Sequence, residues 1–236
     1  MNCNKTFLYH YLMDGSPPVR AVQMLADLLK LKYTAVDVNI RDGENRKPEY
    51  LEKNPNHSIP TLEDDGFFIG DSHAILTYLV EEYGEKQPQL YPKDLKLRTT
   101  VDQRLFFDAS TIQSARAAAY GGIMRKNAPG PTKEGIEVVN GVYKTLEAYL
   151  SKTKYVACDH LTVADISCLS SISTMEVVVP IDAKYSPTDR CHSATDTPHY
   201  GYLQRHDEQH SNCSTESHDL DVDDLRCRRI FLYFFK

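Results

Sequence analysis

The sequence predicts an α+β domain followed by an all-helical one, and three observations carry that expectation. Residues 6 to 40 read strand, helix, strand, the order of a parallel βαβ unit. Two short apolar runs then flank Asp65-Gly66, a tight-turn dipeptide that marks a hairpin. Beyond the proline-bearing stretch "EKQPQLYPKDL" the strand signals stop, and every later periodic segment has helical spacing.

Each element follows from local chemistry. "TFLYHYL" (6 to 12) alternates and is rich in aromatics, as a first strand should be. Ser16-Pro17-Pro18 comes next. Prolines suit the first helical positions, where a missing amide proton costs nothing, and Ser16 is a natural cap before them. Val19, Val22, Leu25, Ala26 and Leu29 then recur at helical spacing. "YTAVDVNI" (33 to 40) is the second strand, and residues 41 to 58 form a polar stretch. "TLED" and "FFIG" make the hairpin, and Asp71 and Ser72 cap a helix carrying Ile75, Leu76, Leu79 and Val80. The first domain therefore spans 1–84 as a four-stranded mixed sheet with helices, and 85–94 is a linker. Residues 95 to 120 read as one long helix, "TKEGIEVVNGVYKTLEAYLSK" as another, and "TVADISCLSSISTMEVV" as a third. That last helix opens on a capping box, Thr162 and Asp165. The helical domain spans 95–187.

Bulk properties narrow the function. The net charge is −6 with no basic block, which argues against nucleic acid as a partner. No apolar run approaches the roughly 20 residues of a membrane helix, so no membrane partner is expected. The N-terminus lacks a cationic segment followed by an apolar one, and six scattered cysteines include no CxxC. Both features predict a cytoplasmic protein with reduced thiols.

Several spaced motifs together resemble one family. "SPPVRA", "NPNHSIPTL", "DSHAILTYLVEEYG" and "LYPKD", with "VDQRLFFD" and "DHLTVADIS" further on, resemble the cytosolic glutathione transferases. The likeness is to the insect delta and epsilon classes, with "VDQRLFFD" and "STMEVV" leaning epsilon. It implies a thioredoxin-like βαβ-ββα domain followed by the all-α domain. It also implies an enzyme that conjugates the glutathione thiolate to small hydrophobic electrophiles in xenobiotic or insecticide detoxification. Glutathione is then a cosubstrate, no metal or other cofactor is needed, and the chain is a homodimer.

The resemblance assigns roles. Ser16 donates its hydroxyl proton to the glutathione sulfur; read locally, it is a helix cap and nothing more. Redox exchange by a CxxC motif is excluded, because no cysteine lies between Asn4 and Cys158. Ile59, before a cis Pro60, pairs its backbone with the cysteinyl amide, and His57, Ser58 and Pro60 of the same turn are also glutathione-binding. His57 faces the glycine carboxylate. Asp71 takes the γ-glutamyl amino group and Ser72 the γ-glutamyl carboxylate. Epsilon-like chains carry histidine where this one has Asn45, and arginine where it has His73. Asparagine donates a hydrogen bond without a charge, and histidine makes a weaker, pH-dependent contact. Phe107, Arg116 and Tyr120 are candidates for the electrophile pocket.

The resemblance stops near residue 187, leaving a helical domain truncated relative to the family. Residues 188–236 hold five of the nine histidines and three of the six cysteines, with almost no aliphatic residues before "IFLYFFK". The segment is expected to be disordered, with a spliced or frame-shifted look. A metal site from Cys191, His192, His199, His206, His210, Cys213 and His218 is the sharp alternative. For the whole chain the alternative is a non-catalytic glutathione- or ligand-binding variant disabled by this tail.

Overall fold

The computed structural model describes residues 6–10, 16–126 and 128–181, so the expectations for 188–236 lie outside the described residues. The elements are β1 (Thr6–His10), α1 (Pro17–Leu28), β2 (Thr34–Asp37), α2 (Pro48–Leu51), β3 (Thr61–Asp64), β4 (Phe67–Ile69) and α3 (Ser72–Tyr83). The helical half adds α4 (Leu95–Phe107), α5 (Gln113–Lys126), α6 (Lys133–Leu150) and α7 (Val163–Val178).

The strand order is β2-β1-β3-β4. β1 runs parallel to β2, with Phe7 opposite Thr34, and antiparallel to β3, with Tyr9 opposite Thr61. β3 and β4 form the expected hairpin, with Leu62 opposite Ile69. Its turn places both Asp65 (φ 48°) and Gly66 (φ +85°) in left-handed backbone, which an Asp-Gly pair tolerates. This sheet and its helices are the thioredoxin-like unit, and the helical domain docks on it through α7.

One hydrophobic core runs through both halves. Val22 and Leu25 of α1, Ile75, Leu76 and Leu79 of α3, and Val163, Ile172 and Met175 of α7 belong to the same buried cluster. Each fully buried aliphatic side chain is worth about 1.5–3 kcal/mol. At the start of α7 the Asp165 carboxylate accepts Thr162 N–H at 2.8 Å, the Thr162 hydroxyl at 2.7 Å and Val156 N–H at 2.8 Å. The capping box is therefore present, and it also ties the preceding loop to the helix.

Three elements differ from expectation. β2 ends at Asp37 rather than near 40, because Asn39 turns the chain. Its Oδ1 accepts from the amides of Arg41 and Asp42, and Glu44 accepts from the Asn39 amide. The polar stretch contains a 3-10 turn at Glu44–Arg46 and the single helical turn α2. The long helix from 95 to 120 is not continuous. A π-helical turn, Asp108–Ile112, separates α4 from α5, and such turns recur at functional sites.

Candidate active site

Sheet topology brings the motifs to one place. The chain leaves β1 towards Ser16, enters β3 from Pro60, and leaves β4 into Gly70 and Asp71. The antiparallel register of β1, β3 and β4 puts these three strand ends at one end of the sheet. The N-termini of α1 and α3 therefore flank the turn at 57–60.

Ser16 occupies the cap position of α1 and is half-buried, and its carbonyl accepts the Arg20 amide at 3.0 Å. Its hydroxyl makes no capping hydrogen bond. Pro17 and Pro18 fill the first two helical positions, so two of the amides a helix start normally presents are absent here.

The 57–60 turn is built by residues that carry no motif of their own, Tyr50 and Asn54. The Ile59–Pro60 peptide bond is cis, and His57 sits in left-handed backbone at φ 47°. Tyr50 donates its hydroxyl to the Ser58 carbonyl at 2.6 Å. Asn54 Nδ2 donates to the same carbonyl at 3.0 Å and to Thr61 Oγ1 at 2.9 Å. The Ser58 hydroxyl donates to the Gly70 carbonyl at 2.6 Å, which pins the turn against the start of α3. Gly70 must be glycine: a Cβ there would meet the Asn54 amide at 2.5 Å. Asn45 joins the group differently from expectation. Its Nδ2 donates to the His57 carbonyl at 2.7 Å, so it holds the turn's backbone.

The start of α3 is an electrostatic relay. Asp71 caps the helix, its Oδ1 accepting from the amides of His73 (2.9 Å) and Ala74 (3.0 Å). Ser72 is buried. The His73 ring lies between two carboxylates: Nε2 is 3.0 Å from Asp108 Oδ2, and Nδ1 is 3.5 Å from Asp71 Oδ1. Asp108, on the π-helical turn, also accepts the Ser167 hydroxyl of α7 at 2.5 Å. Its Oδ1 has no hydrogen-bond partner among the described residues. Burial opposes a charge on His73, but Asp108 and Asp71 outweigh it and push its pKa up to about 9. In turn His73 holds Asp71 down to about 2 against partial burial. His73 is thus a cation at neutral pH, closer to a permanent charge than histidine alone suggests.

The pocket candidates divide. Tyr120 Oη donates to the Thr174 carbonyl at 2.5 Å, and Arg116 Nε donates to Gln113 Oε1 at 2.8 Å. Thr174 Oγ1 in turn accepts from Arg20, one turn after Ser16, so Tyr120 lies towards the start of α1. Phe107 packs edge-on to Tyr149 with ring centroids 5.5 Å apart, a contact between α4 and α6. Among the described residues, the ring contact of Phe107 is thus with Tyr149 rather than with Arg116 or Tyr120.

Known proteins resemble this chain in sequence and fold. The family "Glutathione S-transferase, N-terminal domain" matches residues 8–87. Glutathione S-transferase D6 of Drosophila melanogaster is 39% identical over 180 residues, covering 76% of this chain and 83% of that protein. An epsilon-class glutathione S-transferase from the housefly, Musca domestica, superposes with a TM-score of 0.73 at 40% identity, covering 78% of this chain and 83% of the other. A glutathione transferase homologue from Drosophila mojavensis with bound glutathione gives 0.72 at 37% identity, covering 87% and 94%.

Proposed function

Because this chain belongs to the glutathione S-transferase family, we propose that it conjugates the glutathione thiolate to small hydrophobic electrophiles, with Ser16 stabilising the thiolate. A free thiol has a pKa of about 8.5 and is mostly protonated at neutral pH, while only the thiolate is a strong nucleophile. The Ser16 hydroxyl donates to the sulfur and favours the charged form. The partial positive charge at the start of α1 acts in the same direction. The Ile59 backbone pairs with the cysteinyl amide as an added strand would. His57 meets the glycine carboxylate. Asp71, ionised throughout the working range, takes the γ-glutamyl amino group, and Ser72 takes the neighbouring carboxylate. Arg116 and Tyr120 border the electrophile. Glutathione is the cosubstrate, and the reaction takes place in the cytoplasm without metal or other cofactor. The observation that carries this reading is the convergence of Ser16, the 57–60 turn and the α3 cap at one end of the sheet. Neither the fold nor the comparisons favour the non-catalytic alternative.

The test is direct. The purified chain, incubated with glutathione and a chloronitroaromatic, is expected to release the conjugate at a rate proportional to enzyme. Folded protein that neither turns over nor binds glutathione calorimetrically would overturn the proposal.

The chain works as a homodimer. Along α4 the residues Leu95, Thr99, Gln103 and Phe106 recur on one exposed face, with Leu95 76% and Phe106 71% exposed. Phe67 of the hairpin is 54% exposed and packs on Tyr78 of α3. Large apolar side chains left in water at this spacing mark an association surface. Sedimentation equilibrium is expected to give a dimer for the natural chain and monomers for Phe106→Glu; a dimer that survives that change would exclude this face.

A further inference from the structure

We infer that Ser170 and Thr174 of α7, acting through Pro17 and Arg20, are positioning residues that fix the Ser16 hydroxyl for thiolate stabilisation. The inference rests on the reading of Ser16 above and names what holds that residue from the other domain. The Ser170 hydroxyl donates to the Pro17 carbonyl at 2.6 Å, and both residues are buried. Arg20 Nη2 reaches back to α7, donating to Thr174 Oγ1 at 2.6 Å, the Ser170 carbonyl at 2.8 Å and Ser173 Oγ at 3.2 Å. Pro17 follows Ser16 directly, and the Arg20 amide donates to the Ser16 carbonyl. The clamp therefore grips the single helical turn that carries the catalytic hydroxyl.

Two features separate this clamp from ordinary helix packing. The usual way to fix a helix start is a side-chain cap, and Ser16 makes none. With Pro17 and Pro18 removing two amide donors, the orientation of one hydroxyl carries most of the directed hydrogen bonding towards an anion. Catalytic donors must be held to within about 0.5 Å, and a misplacement of about 1 Å can cost on the order of 10²-fold in rate. A neighbour that holds the Pro17 carbonyl from a different domain supplies that constraint. Thr174 also accepts from Tyr120 through its carbonyl, so the same residue links the thiolate side to the electrophile side.

The experiment compares the pH dependence of kcat/KM in Ser170→Ala, Thr174→Val and Thr174→Ser. Thr174→Val keeps the shape and removes the acceptor, whereas Thr174→Ser keeps the acceptor and removes only a methyl. Ser170→Ala and Thr174→Val are expected to raise the apparent pKa of the bound thiol by about half a unit. That corresponds to roughly threefold less activity at pH 6.5. Thr174→Ser is expected to keep the natural profile, and KM for glutathione should stay within about twofold in all three. A purely structural loss would lower activity equally at every pH. Unmoved profiles in folded Ser170→Ala and Thr174→Val overturn the inference, and so does a Thr174→Ser profile matching Thr174→Val. If Ser16→Ala itself retains full turnover, the Ser16 assignment fails first, and the clamp loses its purpose with it.

Discussion

A Ser16→Ala variant is expected to lose about 10²-fold or more in kcat/KM at pH 6.5 while keeping its thermal stability. The size follows from what the hydroxyl does. A hydrogen bond to a charged acceptor is worth about 1.5–3 kcal/mol, and removal of one preorganised donor to a developing anion costs on the order of 10²–10³-fold. The missing amides at Pro17 and Pro18 leave few donors to compensate. The stability half separates the two roles open to this serine. A residue that only caps a helix costs about 1 kcal/mol when replaced by alanine and leaves chemistry alone. Here the hydroxyl makes no capping bond, so the expected stability change is within about 0.5 kcal/mol. Thiolate absorbance of bound glutathione, followed against pH beside a thermal melt, tests both halves. A destabilised variant with natural turnover would reduce Ser16 to a cap.

Much of this architecture was legible because local chemistry and tertiary structure agree. Asp65-Gly66 dictated the hairpin, Asp71 the start of α3, and Thr162 with Asp165 the start of α7. The supporting residues were harder to read, because their partners lie far away in sequence. Asn54 and Tyr50 sit in a stretch that looks like polar loop, and only the folded turn shows them binding the Ser58 carbonyl. Arg20 looks like one solvated charge on an amphipathic helix until α7 is packed against it. Asp108 did leave a trace. Val101, Leu105, Asp108, Ile112 and Ala115 fall on one buried stripe, and a carboxylate in such a row needs a partner. α7 left another: Ser167, Ser170 and Ser171 are buried in a helix whose face is otherwise apolar. What the pattern could not give was the π-helical turn, since the apolar spacing continues across it.

The second large effect is expected at Asp108. Asp108→Asn keeps the shape of the side chain but leaves the His73 cation with Asp71 alone, an ion pair at 3.5 Å with no hydrogen bond to Nδ1 among the described residues. Breaking one side of a buried ion pair costs about 3–5 kcal/mol, and the surviving Asp71 brings the expected loss to the lower end, about 3 kcal/mol. The pH dependence gives the sharper test. His73 rises from 6.5 to about 9 on folding, so its contribution is fully present below pH 6.5 and disappears as pH climbs through about 9. Urea unfolding should therefore show the largest gap between natural chain and variant near pH 6, and a much smaller one near pH 10. Activity should follow the same trend, because His73 contacts the Asp71 cap of α3, the place proposed above for the γ-glutamyl end of glutathione. A gap of equal size at both pH values would mean that Asp108 acts through its Ser167 hydrogen bond rather than through His73. A gap that closes as pH rises through about 9 would mean instead that Asp108 and Asp71 hold His73 as a cation and that this charge stabilises the start of α3.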